Sequence, residues 1–145
     1  MPEIETPEIE TIVRGVLIKD DMILLCQAKD PGHYFLPGGH VEFYETAEAA
    51  LLRELSEETG RSDYSVGEFM GAFQNRFKHK DNDHHEICLL FELSTANPDT
   101  PISQESHIRF EMVGLDQLAD INLLPEFLKP ALHGDRLDRK STWLG

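Results

Sequence analysis

An α+β domain is the fold class this 145-residue sequence predicts, and three observations carry the prediction. Short β-branched and apolar runs fill most of the chain. One strongly helical segment interrupts them near the middle, and helical patterning returns towards the end. Strands and helices therefore mix without the steady βαβ alternation of a doubly wound sheet. The length suits one domain over residues 1–145, because a chain of about 150 residues buries roughly 68–70% of its unfolded surface and folds without disulfide or metal staples. Apolar residues at 40% and charged residues at 28% are ordinary for a globular protein.

The first eleven residues hold PEIET twice, at Pro2–Thr6 and Pro7–Thr11. A five-residue period fits neither a helix nor a solenoid, so residues 1–11 read as a leader arm, mobile as chain termini often are. From Thr11, TIVRGVLIKD and MILLCQA, joined at Asp20-Asp21, read as a hairpin. KDPG is a turn, and HYFLPGGHVEF carries a Pro-Gly-Gly break between short extended pieces. The spacing then predicts a helix over 47–59, with Thr46 as N-cap, Glu48 in the first turn and Gly60 just past the end. VGEFMGAFQNRFKHK and HHEICLLFELS read as two long strands joined at Asp81-Asn82-Asp83, and NPDTP as a loop. FEMVGL is a further strand, LDQLAD a short helix, and LLPEFLKPALHGD a longer one.

Thirteen basic against 27 acidic residues give a formal charge of −14. That balance repels DNA backbones and anionic membranes, so neither is an expected partner. Cys26 and Cys88 are far apart and lack CxxC spacing, which leaves two buried free thiols and no disulfide or zinc framework. No stretch approaches the ~20 apolar residues of a membrane span, and the acidic N-terminus lacks the pattern of a secretory signal. The cytoplasm is the expected location.

Within the helix, Glu57 and Glu58 lie one turn beyond Glu54, within ~60° on either side of it. Three carboxylates thus share an arc of about 100°, into which only Ala47 and Ala50 also project, while Leu51, Leu52 and Leu55 occupy the neighbouring, core-facing arc. Such an acidic stripe is costly. Like charges at these spacings repel, and acids in the last turn meet the negative end of the helix dipole. A solvated acidic face is the ordinary reading of Glu-x-x-Glu-Glu, but the context favours a cation. Pro37-Gly38-Gly39 precedes the helix as a loop whose backbone can approach a ligand closely. Arg53 stands beside the acids, able to hold a carboxylate, and Glu45 enters just ahead of the N-cap. Hard divalent ions such as Mg²⁺ and Mn²⁺ take oxygen ligands of this kind.

Read as a whole, Gly39 to Arg61 resembles the signature of the Nudix hydrolase family, G-x5-E-x7-R-E-U-x-E-E-x-G-U, with U a bulky aliphatic residue. Gly39, Glu45, Arg53, Glu54, Leu55, Glu57, Glu58 and Gly60 match. Arg61 departs from the apolar residue usual at the last position, which bears on packing more than on chemistry.

The resemblance implies an α/β/α sandwich with a mixed sheet, the signature forming a loop–helix–loop. It also implies Mg²⁺-assisted (or Mn²⁺-assisted) hydrolysis of a nucleoside diphosphate linked to another moiety. Nucleotide sugars, ADP-ribose, dinucleoside polyphosphates and damaged nucleoside triphosphates stay open as substrates. By the same resemblance Glu54, Glu57 and Glu58 are metal ligands with the Gly39 carbonyl, Arg53 orients the carboxylates, and Glu45 braces them from behind. For the proton acceptor, Glu54 stands ahead of Glu58, with Glu105 as the distal competitor and Glu86 as its alternative. A Nudix-like module that senses a nucleotide without cleaving it is the second functional reading.

For the substrate, strand alternation sets Arg76, Lys78 and Lys80 on one face and Phe73, Asn75, Phe77 and His79 on the other. Arg76 is the candidate phosphate-gripping residue, against a solubilising hairpin face as the alternative. Tyr34, with His33, is a candidate for stacking on a base or sugar, against an ordinary strand position. His79, His84 and His85 around the hairpin turn read as exposed side chains more readily than as metal ligands. Trp143, beside Arg139 and Lys140, either pins the tail to its own domain or meets a second subunit, so a homodimer stays among the expected partners.

Overall fold

The computed structural model describes residues 7–29, 32–126 and 128–132. Among these residues, eight strands form two sheets. The first contains β1 (Glu10–Val16), β5 (Gly38–His40), β6 (Tyr64–His79) and β7 (Asn82–Thr95) in the order β5-β1-β7-β6. It is mixed, because β1 runs parallel to β7 while the other neighbours are antiparallel. The second is antiparallel: β8 (Ile108–Gly114) pairs along the whole of β3 (Met22–Ala28), and β2 (Ile18–Lys19) and β4 (Tyr34–Phe35) pair with its two ends.

Successive residues of these strands enter two different cores. Ile12 and Val16, Ile23 and Leu25, and Cys88 and Leu90 join Leu118, Leu123 and Leu128. Val13, Leu24 and Cys26, with Phe91 and Leu93, join Ala50, Leu51 and Leu55. Sheets covered on both faces need near-continuous apolar strands, which is why MILLC lacks alternation. One layer outside them is helix α1 (Ala47–Thr59). The other is a 3₁₀ turn (Leu115–Asp120) with helix α2 (Leu128–Leu132). Helices on both sides of the sheets make the α/β/α sandwich. Among the described residues, no helix is long and apolar enough to cross a membrane.

Several local expectations are corrected. Asp20 and Asp21, both at positive φ, close only the two-residue ladder of β2 with β3, while β1 departs into the other sheet. A periodic apolar run signals a strand but carries no record of its partner. The long hairpin turns at Lys80-Asp81, also at positive φ, one position before the polar cluster expected to turn. The leader arm ends early, since Glu10 and Thr11 already pair with Glu86 and Ile87. Leu52 is exposed, unlike Leu51 and Leu55. The tandem PEIET reaches into residues outside those described, as do the end of the C-terminal helix and Trp143. Both cysteines are buried and free.

Candidate active site

Helix α1 begins where the Thr46 side chain accepts a hydrogen bond from the Ala49 amide at 3.1 Å. It ends at Gly60, which takes the left-handed conformation at φ 70° that glycine adopts without strain. Burial of Ala50, Leu51 and Leu55 fixes its rotation, and that rotation sets the glutamates at the rim of the first sheet. There the Gly38-Gly39 strand supplies the floor. A side chain on Gly38 would collide with the Val13 carbonyl, and one on Gly39 with the Glu54 carboxyl group. The Glu54 carboxylate therefore lies directly against bare backbone.

Arg53 organises the acids. Its Nε and Nη2 donate to the two oxygens of Glu45 at 3.0 and 2.6 Å, and Nη2 also donates to the His40 carbonyl at 3.0 Å. Nη1 reaches Glu54 Oε1 at 3.1 Å and both Glu57 oxygens at 3.5 Å. The guanidinium holds the Glu45 carboxyl down to about 2, and an additional bond from the Glu42 amide acts the same way.

Glu58 is in the opposite situation. It is only 7% exposed, and its Oε2 has no hydrogen-bond partner among the described residues. Burial pushes its carboxyl up to about 8, with the negative charges of Glu54 and Glu105 adding to the effect and Arg14 opposing it. The structure thus brings Glu54, Glu58 and Glu105 to bear on one another. The loop carrying Glu105 is tied to the helix end, because the Gln104 amide donates to the Glu58 carbonyl at 2.6 Å. Glu105 itself lies 3.2 Å from His107 Nε2. Glu57 is more than half exposed on the outer side of Arg53.

Among the described residues, no three His, Cys, Asp or Glu side chains are gathered into a metal cage. Arg53 draws Glu54 and Glu57 to itself, which turns these two carboxylates towards the guanidinium. The residues nevertheless fit a hard divalent ion. An orphaned carboxylate oxygen, a second carboxylate over bare glycine backbone and a third beside it are all oxygen donors.

A cavity of about 560 Å³ opens on the other face of the sheet, lined by Phe35, Phe73, Asn75, Phe77, Glu86 and Arg14 among others. The Arg14 Nη1 donates to the Leu36 carbonyl at 3.1 Å, and the guanidinium sits 5.7 Å from the Phe35 ring centroid. Its charge bears on Glu58 and on Cys88 beside Glu86, so the acid cluster and the cavity share one cation. Sequence reasoning passed over Arg14. The available signal was a lone basic residue inside the apolar run TIVRGV.

Other candidates lie apart from this arrangement. Arg76 faces a separate groove with Pro7, Glu8 and His85. Tyr34 does not line the cavity, and its hydroxyl donates to Glu111 Oε2 at 2.6 Å. Its neighbours His33 and Phe35 do line it, as does His79. His84 stacks on Phe77 and lies 3.0 Å from Glu10. Arg61 repays its departure from an apolar residue locally: it forks onto Asp63 at 2.9 and 2.7 Å and caps the Tyr64 ring at 4.8 Å.

The model of the NUDIX domain matches residues 10–133. An ADP-ribose pyrophosphatase of Methanocaldococcus jannaschii is 38% identical over 112 residues, covering 74% of this chain and 64% of that protein. This chain thus spans just under two thirds of that relative's length. The nucleoside triphosphatase NudI of Escherichia coli O81 is 32% identical over 106 residues, 66% of this chain and 75% of the relative. The crystal structure of a MutT protein from Bacillus halodurans superposes with a TM-score of 0.69 at 22% identity, covering 89% and 86% of the two chains. At that identity the likeness speaks for the fold alone.

Proposed function

Because the chain belongs to the NUDIX domain family, we propose that it is a metal-dependent pyrophosphohydrolase that cleaves a nucleoside diphosphate linked to another moiety. The relatives named ADP-ribose pyrophosphatase and nucleoside triphosphatase support the reaction class. The observation that carries the reading is Glu58, buried beside Glu54 with one oxygen unpartnered. Among the described residues nothing in the packing rewards that placement, since an ionised buried carboxylate without donors costs several kcal/mol.

Glu54, Glu57 and Glu58, with the Gly39 carbonyl, would hold Mg²⁺ or Mn²⁺. Such ions, when bound, offset phosphate charge and lower the pKa of an attacking water. The chain's own residues do the rest. Arg53, clamped by Glu45, fixes the direction of Glu54 and Glu57. Glu58 and Glu54 lie against each other in a poorly hydrated position, and either would serve as acceptor of a proton from water. Glu105 adds negative charge behind Glu58 and is the remaining candidate for that role. The cavity seats the nucleoside, with Arg14 between it and the acids available to an anionic oxygen.

Phosphate release from a panel of nucleoside diphosphate derivatives, with Mg²⁺ and with EDTA, tests the reading. Mg²⁺-dependent cleavage at the diphosphate, abolished by Glu54→Gln, is expected. Nucleotide binding without turnover of any compound would convert the protein into a sensor and overturn the hydrolase assignment.

A further inference from the structure

We propose that the cavity reads the base of the nucleotide and is built for guanine, with Glu86 accepting from the N1–H and 2-amino groups and Asn75 donating to O6. The assignment rests on the cavity's role as nucleoside seat in the hydrolase reading above, and it adds a specificity determinant to it.

Asn75 and Glu86 are directly opposed residues of β6 and β7, so their Cβ atoms are about 4.5–5.5 Å apart. Both line the cavity. Glu86 is 8% exposed, and the contact the structure gives its carboxylate is the Cys88 thiol at 3.8 Å, a weak donor. A carboxylate buried in a cavity wall calls for strong donors. The Asn75 amide makes no hydrogen bond among the described residues, so its NH₂ is available. Side by side, the two present one donor followed by two acceptor oxygens. Phe35 and Phe77 supply aromatic faces on the same cavity. A volume of about 560 Å³ is within the range of nucleoside-sized sites.

Only one common base complements that edge. Guanine presents O6, N1–H and the 2-amino group in sequence: one acceptor, then two adjacent donors. Adenine and cytosine each set a single amino donor beside a ring-nitrogen acceptor, whose lone pair would face the carboxylate. Uracil and thymine offer one N–H between two carbonyls, both repelled by Glu86. A site built around a buried hydrogen-bonding group rejects ligands that leave it unpaired more strongly than an apolar pocket rejects a change of shape.

The test is titration calorimetry of the full chain in EDTA with GMP, IMP and AMP. GMP is expected to bind tightest, IMP about tenfold weaker for want of the 2-amino group, and AMP ~10–100-fold weaker. Glu86→Gln should erase the preference of GMP over AMP. The swap Asn75→Asp with Glu86→Gln, which presents acceptor then donor, should let AMP overtake GMP, a gain that misfolding cannot produce. Equal binding of GMP and AMP by wild type overturns the proposal, as does an unchanged ratio in Glu86→Gln or no binding of any of the three. Cleavage of GDP-linked and ADP-linked sugars with Mg²⁺ separates this from the hydrolase reading. Preference for ADP-linked compounds sinks the base assignment alone, whereas guanine-selective binding with no cleavage sinks the activity alone.

Discussion

Replacing Glu58 by Gln should stabilise the metal-free protein, although it removes a residue of the candidate site. In the folded chain burial and the charges of Glu54 and Glu105 hold the carboxyl up to about 8, whereas an unfolded chain ionises it near the ordinary glutamate value, about 4.3. Between these limits the native state binds one more proton than the unfolded state, so wild-type stability falls as pH rises through the window. Each unit is worth ~1.4 kcal/mol, which sets a ceiling of about 3–4 kcal/mol at pH 7. Relaxation and water entry bring the expected gain to ~1.5–3 kcal/mol, or a Tm higher by roughly 4–9 °C for a domain of this size. Glutamine keeps the shape, and its amide can donate to Glu54. Thermal melts of both proteins in EDTA from pH 4.5 to 8 provide the assay. The curves should meet at the acid end and separate with rising pH. Saturating Mg²⁺ should raise the wild type more than the variant. A variant no more stable than wild type at pH 7.5 in EDTA would refute the argument that position 58 is held at a cost for a cation.

Four further substitutions separate chemistry from packing. Glu57→Gln, at a side chain more than half exposed, should lower turnover by two orders of magnitude or more at unchanged Tm, read by phosphate release and melting together. Arg53→Lys loses the bidentate grip on Glu45; turnover should fall at least ~10-fold while stability falls by about 1 kcal/mol, measured by urea titration. Gly39→Ala places a methyl group in the Glu54 carboxyl; a stability loss of ~1–3 kcal/mol with loss of Mg²⁺-induced stabilisation is expected from melts with and without the ion. Arg61→Ala releases Asp63 and the Tyr64 face; a loss of about 1 kcal/mol with normal turnover is expected, and a large activity loss would reassign the residue.

The helix and its acids were legible in the sequence because every cue there is local. Thr46, the leucine spacing and Gly60 mark the ends and the buried face within one helix. The same spacing places Glu54, Glu57 and Glu58 together without reference to the rest of the chain. Strand partners were not legible. TIVRGV and MILLCQA are both apolar on two faces, so nothing in either run says that the first pairs with β7, 76 positions further on, and the second with β8. The cavity was hidden for the same reason. Asn75 was placed correctly on a face with Phe73 and Phe77, but Glu86 and Arg14 reach that face only through the pairing of β1, β7 and β6. Arg76, chosen because its charge stands out along the chain, falls on the other side. Prominence in a sequence follows residue type, whereas membership of a site follows register.

Negative charge outweighs positive charge around helix α1. Around the start and end of α1 stand Glu42, Glu45, Glu54, Glu57 and Glu58, and Arg53 is within ion-pair reach of the first four. One guanidinium cannot neutralise four carboxylates, and its best geometry is spent on Glu45. Among the described residues Glu58 receives only the more distant influence of Arg14, and burial pushes its carboxyl up to about 8. In a protein already at −14, a diphosphate brought to this surface would be repelled unless positive charge came with it. In the proposed reading a divalent ion would supply that charge at the carboxylates left under-neutralised. Glu54, Glu57 and Glu58 would hold such an ion, while Glu45 keeps the arginine in place.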